Sequence, residues 1–241
     1  MRYALFGDIH ANLEALEAVL EDASQMGVTN YACLGDIVGY NADPAACLEI
    51  VRGMKCPTVK GNHDEGASTN IPLDGMNSVA AATMEWTRRQ LSADQQQWLK
   101  RLQMVRQVSD FTLVHSTLDQ PENWDYVSNR FDAMANFSYQ FTPICFHGHT
   151  HVPRIYIKTD NKAVEVAAEL IEIEARAKYF INVGSVGQPR DGDSRACYVI
   201  YDPEQRRMVF RRVNYDIAKA QAKIIAAGLP QMLADRLDEG R

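Results

Sequence analysis

Six histidines carry much of the chemistry open to this sequence: His10, His63, His115, His147, His149 and His151. Each lies at or just beyond the end of a short apolar run, and none falls in a stretch with helical periodicity. The runs YALFGD, YACLGD, TVKGNH, FTLVHS and ICFHGH read as strands with a common finish line. In open sheets flanked by helices, ligands bind beyond the carboxyl ends of the strands, so polar residues repeated there predict one shared site.

Asp8 and His10 stand two apart in GDIH, so in extended chain they project to one side and can share a cation as oxygen and nitrogen donors. Asp36 ends the second run at the position corresponding to Asp8, where a carboxylate can bridge two cations; its competing role is to cap a turn before GYNADP. GNHD supplies Asn62, a neutral hard donor, and His63, an imidazole able to give up a proton, unless the run is a Gly-Asn turn with His63 facing solvent. His115 closes the fourth run, although a single His there is better explained as a buried, hydrogen-bonded core residue. In GHTH, His149 and His151 again have the spacing to face one way, and Gly148 permits close backbone approach.

The elements that must position these residues begin with a helix in NLEALEAVLEDASQMG, where Leu13, Leu16, Leu20 and Ala23 share a face, Asn12 caps the start and Gly27 the end. A helical pair is predicted over about 77–103 near the site rim, opened by Asn77 and divided at Ser92, which forms a capping box with Gln95. The polar stretch EGASTNIPLDG before it reads as a mobile rim. After residue 153 the pattern changes to RIYIKT, a turn at Asp160 and Asn161, then AVEVAA, LIEIEA, YFINVG, ACYVIYD and MVFRRV, mostly antiparallel strands, with a helical tail from Asp216.

The chain has 241 residues, 46% hydrophobic and 23% charged, and no composition break that marks a linker, so one domain spanning 1–241 is expected. A core of that size needs no disulfide or zinc staple, which frees any metal site for function. Five cysteines without CxxC spacing, the absence of a signal-peptide core and of a membrane-length apolar run predict a cytoplasmic protein with free thiols and no membrane partner. A formal charge of -6 argues against a broad grip on nucleic acid. The basic cluster from Arg206 to Arg212 reads as a solvated strand edge. Oligomeric state is not legible.

Taken in order, GDIH, GD, GNHD, VH and GHTH resemble the calcineurin-like metallophosphoesterase family from residue 3 to residue 151, and INVGSVGQPRDGD resembles the NPGSVGxPR segment of its small prokaryotic branch. The resemblance implies an α/β fold, a four-layer α-β-β-α sandwich of two mixed sheets with flanking helices. It implies that Asp8, His10, Asp36 and His151 hold one metal, that Asp36, Asn62, His115 and His149 hold the other, and that His63 is the catalytic histidine. Arg190 and Asn12 would lie near the phosphate. Ala11 and Ser116 depart from glycines of the pattern and Val183 from a proline, which would reshape the pocket rim. His147 is an addition, expected to hydrogen bond behind the ligands rather than to ligate.

Such a site would use two divalent ions, roughly 3.5 to 4 Å apart, to activate water against a phosphodiester or nucleotide-type ester. Manganese is the working choice by resemblance, and Fe, Zn, Ni and Co suit the same donors. The alternatives are a serine/threonine protein phosphatase-like phosphomonoesterase and a catalytically silent interaction scaffold of the same fold.

Overall fold

The computed structural model describes residues 1–69, 78–160 and 162–241. In chain order it runs β1 (Tyr3–Phe6), α1 (Leu13–Gln25), β2 (Asn30–Cys33), α2 (Pro44–Met54), α3 (Asn62–Ser68), α4 (Ser78–Gln90), α5 (Ala93–Lys100), β3 (Val105–Val108), β4 (Phe111–Val114), α6 (Arg130–Phe137), β5 (Ile144–His147), β6 (Arg154–Thr159), β7 (Lys162–Val166), β8 (Leu170–Glu172), β9 (Lys178–Asn182), β10 (Ala196–Asp202), β11 (Arg207–Val213), α7 (Ile217–Ala226) and α8 (Gln231–Glu239). A single 3-10 turn, Pro121–Asn123, interrupts the loop before α6.

The strands form two mixed sheets, ordered β2-β1-β10-β11-β8 and β3-β4-β5-β9-β6-β7. In the first, only β1 and β2 run parallel. In the second, β4 with β5 and β5 with β9 run parallel, and the remaining pairs are antiparallel. The antiparallel texture expected after residue 153 therefore holds except for β9, which also pairs with β5.

Alternation along each strand decides the layering, because successive side chains leave opposite faces. Tyr3, Leu5, Val199 and Tyr201 of the first sheet meet Phe111, Leu113, Ile144, Phe146, Tyr179 and Ile181 of the second in one buried interior. Residues one step along, Ala4, Phe6, Tyr198 and Ile200, pack outward against Leu16, Val19 and Ala23 of α1 and Leu48 and Val51 of α2. On the far side, Val114, Cys145, Tyr156 and Phe180 pack against Ala133 and Phe137 of α6. The result is the four-layer α-β-β-α sandwich expected.

Local signals were accurate where they were short in range. Asn12 caps α1 by accepting from the Ala15 N–H at 3.1 Å, Ser92 and Gln95 form the capping box that opens α5, and Asp216 caps α7. The run TVKGNH is different. Thr58 and Val59 make only isolated bridges, to Cys33 and Gln103, because the chain turns at Gly61 directly into α3, whose first turn carries Asn62 and His63. Glu65 to Ser68 belong to that helix rather than to a rim; residues 70–75 of the rim and the cap at Asn77 lie outside the described residues. The Arg206 to Arg212 cluster is not a strand edge either: β11 lies between β10 and β8, and Arg211 grips Asp22, with Nη2 2.7 Å from Oδ1, while Arg212 pairs with Asp191.

Candidate metal centre

Loops leaving β1, β2, β4 and β5, with the start of α3, bring Asp8, His10, Asp36, Asn62, His63, His115, His149 and His151 to one end of the sandwich. The connections are tight backbone bonds: the Asp8 N–H to Gly35 O at 3.0 Å, His10 to Asp36 O at 2.9 Å, and Gly148 to His115 O at 2.9 Å. Five of these residues hold left-handed backbone, with φ of 48° at Asp8, 47° at His10, 49° at Asp36, 70° at His149 and 60° at His151. Asp and His visit that region more often than most residues, yet each instance still costs about 1–3 kcal/mol and persists only where surrounding bonds over-determine it.

Two groups of donor atoms result, each within 4.8 Å: Asp8, His10, Asp36 and His151, and Asp36, His115 and His149. Asp36 is common to both. Its Oδ1 accepts the His63 backbone N–H at 2.8 Å, which leaves Oδ2 facing His10 Nε2 at 3.5 Å and His115 Nε2 at 3.4 Å. Asn62 joins the second group through Oδ1, 3.2 Å from His115 Nε2. Asp8 takes the His149 N–H on its carboxylate and turns Oδ1 toward His151 Nε2 at 3.4 Å.

Backbone carbonyls set the tautomer of each imidazole. Nδ1 of His10 donates to Val38 O, that of His115 to Leu34 O at 2.8 Å and that of His151 to Gln188 O at 2.7 Å, so all three aim Nε2 inward. His149 is turned the other way, with Nε2 on Trp124 O at 2.7 Å and Nδ1 left for the cluster. Such bonds fix ring orientation and strengthen a metal-binding lone pair.

These donors fit a divalent cation on physical grounds. His10 Nε2 and His151 Nε2 stand 3.0 Å apart, and with both Nδ1 atoms committed as donors, two lone pairs face each other. A proton between them is disfavoured, since burial drives both rings well below their usual value. A cation satisfies both. Burial likewise pushes Asp8 up to about 7, whereas Asp36, against the opposing effect of burial, is held well below the carboxylate range by His115, His63 and His10. His115 is raised to about 9: burial opposes this and Asp36 outweighs it.

The remaining expected residues separate. His63 is buried beside the cluster, its ring 4.8 Å from that of His10 and 4.4 Å from that of Tyr40, and its Nδ1 has no hydrogen-bond partner. Arg190 lies over Tyr40 at 5.7 Å, steadied by Gln188 Oε1 at 2.9 Å, with a buried Nε lacking a partner. Asn12 caps α1 with Oδ1 and gives one Nδ2 hydrogen to Gly187 O at 3.0 Å. Asp64 accepts from the Ile37 and Gly61 N–H groups and so ties two loops together. His147 stacks on Phe180 at 4.3 Å, with Nδ1 near Asn182 Nδ2 at 3.4 Å. Ala11 and Ser116 are both buried, and Val183 uses the N–H that a proline would lack to bond His147 O at 3.0 Å.

Four contributors escaped the sequence reading: Tyr40, Trp124, Tyr126 and Gln188. Tyr40 follows directly on GDIVG and could have been suspected; the others act through loops without a periodic signal.

Glycine matters most where the loops touch the carboxylates. A Cβ on Gly61 would sit 2.1 Å from Asp36 Oδ1, and one on Gly148 2.4 Å from Asp8 Oδ2. Gly61→Ala is expected to cost about 1–3 kcal/mol of stability, as overpacking does, and to lower bound metal with it. Chemical denaturation and elemental analysis check this; wild-type values for both would mean that the loops yield to a methyl group without strain.

Comparison with known proteins came to the same family as the motifs. A family model described as a calcineurin-like phosphoesterase superfamily domain matches residues 1–206. An uncharacterized protein of Methanocaldococcus jannaschii is 36% identical over a 242-position alignment that covers 99% of this chain and 98% of that protein. The crystal structure of a metallophosphoesterase from Sphaerobacter thermophilus is 41% identical with a TM-score of 0.88, covering 100% of this chain and 99% of the other. A hypothetical protein of Pyrococcus horikoshii OT3 shares the fold at 18% identity, with a TM-score of 0.82 and coverage of 100% and 98%.

Proposed function

Because the chain belongs to the calcineurin-like phosphoesterase superfamily, we propose that it hydrolyses a phosphodiester or nucleotide-type ester at a pair of divalent cations. Asp8, His10, Asp36 and His151 hold one, and Asp36, Asn62, His115 and His149 the other. The observation that carries this reading is the shared carboxylate, a single Asp36 Oδ2 reached by imidazoles of both groups. When bound, such a pair neutralises phosphate charge and makes a water acidic enough to attack near neutral pH. Manganese is the first ion to supply.

The chain's own residues do the rest. Arg190 offers the N–H of its unpartnered Nε to a phosphate oxygen, in the geometry Gln188 and Tyr40 impose. His63 gives its proton to the departing oxygen. Burial lowers its affinity for that proton while Asp36 works the other way, and an anionic ester adds to the effect of Asp36, so substrate arrival favours the charged, donating form. Gly39 leaves the space His63 needs, since a Cβ there would lie 2.4 Å from Nδ1. The packing of α7 and α8 onto Tyr40 and Trp86 supports reading residues 1–241 as one domain. Among the described residues, no helix is long and apolar enough to cross a membrane.

A panel of nitrophenyl mono- and diesters, nucleotides and a phosphopeptide, assayed with and without manganese, tests the activity. Preference for the phosphopeptide would move the reading to a protein phosphatase, and no turnover with any metal would move it to a scaffold. Metal removal has its own readout. Chelation should lower the melting temperature, and manganese at about 100 times its Kd should restore about 2.7 kcal/mol. A melting temperature indifferent to saturating metal would take the cation out of the cluster.

A further inference from the structure

Beside the second group of donors, residues 118–129 form a wall with no strand or helical period. The 3-10 turn Pro121–Asn123 is flanked by left-handed residues, Gln120 at φ 48° and Trp124 at φ 58°. Neither is glycine, so the conformation is held at a cost. What it delivers is specific: Trp124 O reaches His149 Nε2 at 2.7 Å, and the Trp124 ring stands 6.0 Å from that of His115.

Two residues on, Tyr126 stacks its ring on His149, centroids 4.2 Å apart and planes within 21°. It is nevertheless 57% exposed. One surface of the phenol is therefore spent on a residue of the centre while much of the ring is presented to solvent. Tyr40 stands on the other side of the cluster, its ring 4.7 Å from that of His10; its phenol is raised by burial, Arg190 opposes that, and Tyr126 is close enough to add to it. Two phenol rings and a guanidinium with an unpartnered Nε thus border the donor cluster.

We propose that Tyr126 is a stacking platform for an aromatic ring carried by the ester, which makes nucleotides and aryl esters its substrate class. An imidazole fixed beneath it by Trp124 O keeps the platform in one plane, which lowers the ordering cost of a ring laid on it. Stacking on an aromatic face tolerates any base because every base has a π face. Selectivity is thus expected for the presence of a ring rather than for its identity. This rests on the phosphoesterase reading for the position of the phosphate.

Binding separates the two. With manganese-loaded protein, calorimetry compares AMP with ribose 5-phosphate, which carries the same phosphate and sugar but no base. Wild-type protein should prefer AMP by about tenfold or more; Tyr126→Ala should lose the preference with ribose 5-phosphate affinity and metal content unchanged, and Tyr126→Phe should keep it. Equal affinities in the wild type, or a preference that survives in Tyr126→Ala, would overturn the proposal. So would a loss of both ligands together in Tyr126→Ala, which would make Tyr126 a prop for His149. Hydrolysis of the nitrophenyl mono- and diesters by the wild type is measured separately: no turnover of any with any metal removes the phosphoesterase reading, while an AMP preference governed by Tyr126 would stand.

Discussion

Asp36→Asn is expected to lower phosphodiester hydrolysis by well over about a hundredfold, beyond the 10–100-fold loss typical when a residue behind the ligands is removed, and to deplete bound metal. The substitution changes almost no volume. Its Oδ1 can still accept the His63 N–H, so the start of α3 keeps its anchor. What changes is the atom facing the two imidazoles. Oδ2 is 3.5 Å from His10 Nε2 and 3.4 Å from His115 Nε2, and an amide NH2 there donates where a lone pair is required and carries no charge. Both proposed metal positions lose a donor at once, because both depend on this oxygen. His115 also loses the carboxylate that chiefly holds it at about 9. Full activity of Asp36→Asn at saturating metal, with wild-type metal content by elemental analysis, would remove the shared carboxylate from the mechanism and with it the paired-cation reading.

The contrast between that residue and Tyr126 shows what the sequence could and could not reveal. Asp36 was legible because it ends an apolar run as Asp8 does, and strands that finish level put their following residues together; the structure pairs Phe6 with Cys33 and sends the Asp8 N–H to Gly35 O. Asn12 and Ser92 were legible because a cap is bonded within three residues of itself. Tyr126 was not. Its partner is 23 residues away, and Tyr126 itself follows a 3-10 turn flanked by left-handed Gln120 and Trp124, in a loop of no fixed period. The same holds for the Arg211 pair with Asp22, 189 residues apart, which turned an expected solvated edge into an ion-paired interior strand. TVKGNH misled for a different reason: its apolar composition suits a strand, but two parallel bridges precede Gly61 and α3 begins there. Asn12 carried two roles, of which the cap is in place, with one Nδ2 hydrogen given to Gly187 O.

His63→Ala should behave unlike the Asp36 variant, losing turnover while keeping metal. The His63 side chain is absent from both groups of donors, and the atom that steadies Asp36 is the His63 backbone N–H, which alanine retains. Removing the ring leaves a space beside His10 and Tyr40 rather than an unpaired charge, so thermal stability in the presence of manganese should change little. A positioned proton donor contributes about 10²–10⁴-fold, and that contribution depends on how badly the leaving oxygen needs the proton. An alkyl or ribose oxygen departs as a strong base, so the loss should lie near the top of the range. p-Nitrophenolate departs without help, so its ester should lose far less. The diagnostic quantity is therefore the slope of log kcat against leaving-group pKa, which should steepen in His63→Ala while KM changes little. A uniform loss across all leaving groups would place His63 in phosphate binding, and no loss at all would remove it from the reaction.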